Sequence, residues 1–226
     1  MQGATLLTYC PDHIRARIIS TGERLSVAIL DAVLQAYGLQ VSLLSPEKFL
    51  YTNKSSLNAV ADLVLSKEKY ALEYSKLNTV SLMPGFIGVN DENSNNQPQV
   101  TTLGRNGSDY SAAVLAVCAE AECCKIWTDV DGVYNADPRY IKEAKLLDYL
   151  SYQEAMELSY FGASVLHPKT IGPIAQYHIP CLIKNTSNPS AQGTLISNEN
   201  DQQKRVKAIS NLDDLTMVNV SGPGMK

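Results

Sequence analysis

Apolar residues recur at helical spacing at Leu25, Ala28, Ile29, Ala32, Val33 and Ala36, and Gly38 follows as a stop. Residues 39–44 then read as a strand ended by Pro46, 57–69 as a helix, and 79–83 as a second strand. The segment 90–99, NDENSNNQPQ, is polar and without period, as expected of a solvated loop at the tip of a hairpin. Beyond a glycine-containing turn come a helix over 110–121 and a short buried strand over Cys124–Thr128. Ser151 and Glu154 have the spacing of a capping box opening a helix that runs through Tyr160. Residues 179–184 form a further strand, and 198–207 turn polar like a linker before an apolar stretch over 215–220. Helical and extended patterns therefore alternate, with no repeat of fixed period. That order predicts an α/β fold built on a parallel sheet with crossover helices.

Composition narrows the class. The chain has 226 residues, 45% hydrophobic and 19% charged, enough for one large globular domain with a substantial core. A net charge of −4 lacks the basic footprint of a nucleic-acid binder. No apolar run reaches the ~18 residues of a bilayer span, and the first residues lack the basic and apolar regions of a secretory leader. Cys10, Cys118, Cys123, Cys124 and Cys181 are odd in number and contain no CxxC pair, so free thiols in a reducing cytoplasm are expected.

Two segments carry candidate chemistry. In TTLGRNGSDY, residues 101–110, Gly104 and Gly107 flank Arg105, and Ser108 and Asp109 stand where a helix begins. Glycines allow close backbone approach, a helix N-terminus offers unpaired N–H groups to an anion, and an arginine there can grip a carboxylate with two bonds. The competing reading has Ser108 or Asp109 merely capping the helix. In IWTDVDGVYNADPR, residues 126–139, a strand runs into a loop with Asp129, Asp131 and Asp137. Such loops bind ligands in open α/β sheets, and the aspartates either hold Mg²⁺ or form the turns that Asp-Gly and Asp-Pro favour.

LGRNGSDYSAA, IWTDVDGVYNADPR and FGASVLHPKTI, in this order and spacing, resemble the aspartokinase family of the amino-acid kinase superfamily, over a region from STGERLS to GTLIS. The resemblance implies a three-layer αβα amino-acid-kinase (carbamate-kinase-like) fold with a mostly parallel central sheet. It also implies transfer of the γ-phosphoryl of ATP to the side-chain carboxylate of L-aspartate, giving 4-phospho-L-aspartate in the first step of lysine, threonine and methionine biosynthesis. Glu23, Arg105 and Ser108 would hold the amino acid, although Ser20 and Glu23 also fit a capping box. Asp109 would orient a catalytic lysine near the transferred group. Thr128, Asp129, Tyr134 and Arg139 would surround the nucleotide, which carries its own Mg²⁺, with no metal ligand set on the protein. His13, His167 and His178 are expected to be structural, and the protein to be a homo-oligomer.

The sequence departs from that family twice. Where the family has FGAKVLHP, this chain has Ser164, so a phosphate-side cation is missing unless Lys169 or Lys184 supplies it. The family's opening strand with its KFGGTS-like lysine motif has no counterpart, so the fold is expected to be incomplete at the N-terminus and turnover poor. The expected division is 1–200 for the catalytic domain and 201–226 for a linker and the first strand of an ACT-like regulatory unit. There SGPGM is similar to the bifunctional members that carry homoserine dehydrogenase downstream. Competing readings are a kinase acting on glutamate, carbamate or UMP, and an inactive fragment that binds nucleotide or a partner chain.

Overall fold

The computed structural model describes residues 9–74, 77, 80–91, 98–160, 166–198, 206–210 and 216. The chain opens with α1 (Asp12–Ile19) and α2 (Thr21–Ala36), followed by β1 (Val41–Leu43), a 3₁₀ turn (Pro46–Lys48), α3 (Leu63–Glu73) and β2 (Val80–Leu82). A hairpin of β3 (Ile87–Asn90) and β4 (Gln99–Thr102) leads into α4 (Gly107–Cys118) and β5 (Cys124–Thr128). Then come β6 (Tyr149–Ser151), α5 (Tyr152–Tyr160), α6 (Pro168–Gln176), β7 (Cys181–Asn185) and β8 (Thr194–Ser197).

The sheets are mostly parallel, as the alternation of patterns implies. β1 pairs with β2, β5 with β7, and β6 with β8 in parallel, whereas β3/β4 and β7/β8 are antiparallel. The order in the four-stranded sheet is β5-β7-β8-β6. α4 is the axis of the molecule. Its Ala113, Ala116 and Val117 pack into a core with Ile126, Ile171, Ile174, Ile183 and Ile196. Its Tyr110, Val114 and Cys118 face a second core with Phe49, Leu50, Tyr70 and Leu103. A helix buried on two sides must be apolar nearly all round, and GSDYSAAVLAVC is so after its first turn.

The differences from the sequence reading have physical causes. The helix expected over 57–69 begins at Leu63, because Asp62 caps it through Leu65 N–H (3.0 Å). The backbone before it is extended: Ala59 N–H donates to Thr102 O and Asn53 N–H to Val60 O. Tertiary hydrogen bonds thus override local propensity there. The α4 helix starts at Gly107, three residues early, after Asn106 in the left-handed region (φ 54°). The Ser20–Glu23 capping box is absent: Ser20 Oγ donates back to Arg17 O (2.9 Å), and Ser20 keeps helical angles between α1 and α2. The apolar stripe of α2 stays exposed at Leu25, Ile29, Leu30 and Val33.

The Ser151–Glu154 box is present, with Ser151 N–H donating to Glu154 Oε2 (2.8 Å) and Glu154 N–H to Ser151 Oγ (3.2 Å). Ser164, the strand over 215–220 apart from Thr216, and much of the 198–207 linker lie outside the described residues. Among the described residues no helix is long and apolar enough to cross a membrane.

Candidate active site

Topology first brings the two candidate segments to one end. α4 runs into β5 through a short turn, so the start of the helix and the end of the strand lie at the same edge. That edge is where open α/β sheets place ligands.

The glycine turn at the start of α4 is held by the turn before β3. Phe86, itself left-handed (φ 68°), donates its N–H to Ser111 Oγ (3.1 Å), and Ser111 Oγ donates to Ser108 O (2.8 Å). Leu103 N–H closes the other side on Phe86 O (2.9 Å). Gly107 has no room for a side chain, since a Cβ would run into the Phe86 ring, and a Cβ at Gly85 would sit 3.1 Å from Ser108 Cβ. Gly104 takes φ +80°. Between these fixed glycines Arg105 is exposed, with no hydrogen bond or ion pair among the described residues. Asp109 is half-buried in the first turn of α4. Burial pushes its carboxyl up from the ordinary range, opposed by a hydrogen bond from Asn106.

Two further residues join this turn. Asn58 lies against Gly104, where an added Cβ would collide with its Oδ1. That oxygen accepts from Lys169 Nζ (2.5 Å). Asn58 escaped the sequence reading because the extended run before α3 was read as helix.

In the loop after β5 the three aspartates share no partner. Asp129 Oδ1 accepts from Thr128 Oγ1 (3.1 Å). Asp131 Oδ1 accepts from Asn185 Nδ2 (2.7 Å) and Asn188 Nδ2 (3.2 Å), latching this loop to the one after β7. Asp137 takes the Arg139 guanidinium in a fork (2.6 and 3.0 Å), and that hydrogen-bonded arginine holds its carboxyl below the usual range. Of the three, Asp137 closes a local turn by accepting from Arg139 N–H (2.8 Å), and among the described residues no three His, Cys, Asp or Glu side chains group as a metal site. Arg139 turns toward Asp137 here, with its side chain 76% exposed. Tyr134 is half-buried and bridges to Leu146. Val133 N–H donates to Thr194 Oγ1 (2.8 Å), which ties the loop to β8.

Glu23 stands in the first turn of α2, and no hydrogen bond or ion pair among the described residues joins it to Arg105. Of the two lysines considered for the missing cation, Lys184 donates to Ala191 O within the loop after β7, whereas Lys169 reaches the glycine turn. His167 caps α6, its Nδ1 accepting from Lys169 N–H (3.1 Å), as expected of a structural histidine. A separate cavity of about 820 Å³, lined by Tyr51, Lys54, Asp62, Lys69 and Asp91 among others, includes none of the candidate residues.

The profile of the amino acid kinase family matches residues 6–185. The chain is 50% identical over 228 residues to a bifunctional aspartokinase/homoserine dehydrogenase of Buchnera aphidicola subsp. Acyrthosiphon pisum, covering 100% of this chain and 27% of that protein. It is 48% identical over 216 residues to the protein so named in Haemophilus influenzae, covering 95% and 26%. Among solved structures, aspartokinase III of Escherichia coli in complex with aspartate and ADP superposes with a TM-score of 0.78 at 34% identity, covering 85% of this chain and 42% of that one. The chain thus spans about a quarter of the length of these two curated relatives.

Proposed function

The chain belongs to the amino acid kinase family, and we propose that it supplies the aspartate kinase chemistry of a longer bifunctional enzyme. The reaction is transfer of the ATP γ-phosphoryl group to the side-chain carboxylate of L-aspartate. One observation carries this reading: Arg105, unpaired among the described residues, is held by two constrained glycines at the helix start that shares an edge with the loop after β5. The likeness to an aspartokinase solved with aspartate and ADP supports it.

In this reading Arg105 grips a carboxylate of aspartate, with Ser108 lining the site and Glu23 meeting its charged groups. Thr128, Asp129, Tyr134 and Arg139 border the nucleotide, and Arg139 exchanges Asp137 for phosphate when ATP arrives. The acceptor carboxylate is already a nucleophile, so no strong base is required. Catalysis consists of in-line alignment and neutralisation of charge on the phosphoryl oxygens. Mg²⁺ enters with the nucleotide, since the loop aspartates are engaged by protein donors. Asp109 acts beside the transferred group. Residues 201–226 hold the linker and the first strand of an ACT-like regulatory unit, the polypeptide continues into a homoserine dehydrogenase, and the assembly is a homo-oligomer.

The test is ADP release by the chain with and without L-aspartate, and with L-glutamate, bicarbonate with ammonia, or UMP in its place. Release that depends on aspartate alone is expected, at a low rate because the family's KFGGTS-like lysine motif has no counterpart in the sequence. Release dependent on another acceptor, or binding of ATP with no acceptor-dependent release, overturns the assignment.

A further inference from the structure

Lys169 is the second residue of α6, and its ammonium leaves that helix to meet Asn58, a residue 111 positions earlier in the chain. Because Asn58 itself rests on Gly104, the ammonium is fixed beside the turn that holds Arg105. The imidazole of His167 senses the arrangement. Burial, then the charge of Lys169, then that of Arg105 lower its pKa. Burial also lowers the pKa of Lys169, and no carboxylate opposes it.

Other lysines differ: Lys48 pairs with Glu73, Lys67 with Glu120 and Lys207 with Glu154. Among the described residues, neither Lys169 nor Arg105 has an acidic partner. With no acidic partner among the described residues, these two cations near one imidazole leave positive charge uncompensated, and a bound anion supplies the missing partner. One ammonium and one guanidinium on different elements suit an anion with two separated negative groups.

We propose that Lys169, positioned by Asn58, is a second cation of the amino-acid site, taking one carboxylate of a dicarboxylic substrate while Arg105 takes the other. This rests on the reading of the Arg105 turn as the amino-acid site, and adds to it a residue that selects aspartate over its amide. On the nucleotide side Asp129 is engaged by Thr128 and Arg139 by Asp137, whereas Lys169 is engaged by Asn58 against Gly104, at the turn that holds Arg105. Lys169 therefore goes with the amino acid and not with the phosphates.

Calorimetric titration of the full chain with L-aspartate, L-asparagine and a non-hydrolysable ATP analogue tests this. Lys169→Gln removes the charge but keeps a donor for Asn58, and Lys169→Arg keeps the charge. Losing a charge-assisted hydrogen bond predicts about ten- to hundredfold weaker aspartate binding in Lys169→Gln. The preference over asparagine should shrink in proportion, with nucleotide affinity unchanged and much of the loss restored in Lys169→Arg. If Arg105→Ala weakens aspartate binding but Lys169→Gln does not, the inference fails and the reading of the turn stands. If neither variant weakens it, the reading itself fails. Weakened nucleotide binding in Lys169→Gln, with aspartate affinity intact, makes Lys169 a phosphate ligand and overturns the proposal. Circular dichroism melting confirms that each variant is folded, and a Lys169→Gln chain that does not fold shifts the decision to Asn58→Ala. That variant should weaken aspartate binding several-fold, and unchanged binding there overturns the proposal.

Discussion

Lys207 Nζ stands 3.0 Å from Glu154 Oε1, while the other oxygen of that carboxylate closes the capping box with Ser151. One side chain therefore both starts α5 and ties down the segment 206–210. The same segment reaches the loop after β5, where Ile209 N–H donates to Asn135 O (2.9 Å) beside Tyr134.

Burial opposes the charge on Glu154, but Ser151 N–H, its hydroxyl and Lys207 outweigh it, so the carboxyl titrates below its usual value. A carboxyl depressed by folding contributes stability above the unfolded glutamate pKa of about 4.3, and loses it as pH falls through the folded value. Thermal melts of wild type should therefore drop faster below about pH 4.3 than those of Glu154→Gln. At neutral pH, Ser151→Ala should cost about 0.5–2 kcal/mol in chemical denaturation. Parallel acid limbs for the two proteins would remove Glu154 from the account.

Arg105 and Asp109 share one helix start but differ in surroundings, and their variants should separate kinetically. Arg105→Ala should raise the aspartate KM about ten- to hundredfold and leave the ATP KM near its original value. Asp109→Asn should lower kcat with little change in either KM, the pattern of a group felt chiefly in the transition state. Steady-state assays in both substrates read this directly. An unchanged aspartate KM in Arg105→Ala would remove it from the substrate site.

Gly104 and Gly38 both take φ +80°, yet only Gly104 is crowded. Alanine at Gly38 meets open space and should cost only the left-handed backbone penalty, roughly 1–2 kcal/mol. Alanine at Gly104 adds a collision with Asn58 Oδ1, so it should cost more and also displace the Lys169 contact. Urea denaturation of the two variants compares them, and equal losses would show that Asn58 yields freely.

The boundaries that the sequence made legible are those set locally. Cys124–Thr128 is a run of five bounded by a turn and a polar loop, and Ser151 with Glu154 is a cap whose partners are three residues apart. What escaped depends on distant partners. Ala59 to Asp62 is extended because Thr102 and Asn53 take its hydrogen bonds. The three-residue β6 has too few positions to show alternation, and α6, which opens with Pro168 and contains Pro173, reads as broken. In the site, Arg105 and its glycines were visible because they are contiguous. The meeting of Lys169 with Asn58 was not, because 111 residues separate them.

His167 gives the last prediction. Its Nδ1 accepts the N–H of Lys169, so the cap of α6 requires the ring to lack a proton at that nitrogen. Burial first, then the charges of Lys169 and Arg105, hold its pKa below the ordinary histidine value. A base whose pKa is depressed by folding stays neutral in the native state while the unfolded chain takes up a proton. Stability is therefore full above about pH 6.5 and falls as pH drops from there through the folded pKa. His167→Asn keeps an acceptor favoured at helix starts but has no proton to gain. Its melting temperature should match that of wild type near pH 8 and exceed it near pH 5. Bound aspartate would place negative charge near the ring and raise the His167 pKa, a change that imidazole NMR titration can follow in wild type and should find reduced in Lys169→Gln. Wild-type and His167→Asn melts that run parallel from pH 8 to pH 5 would show that the cap does not titrate.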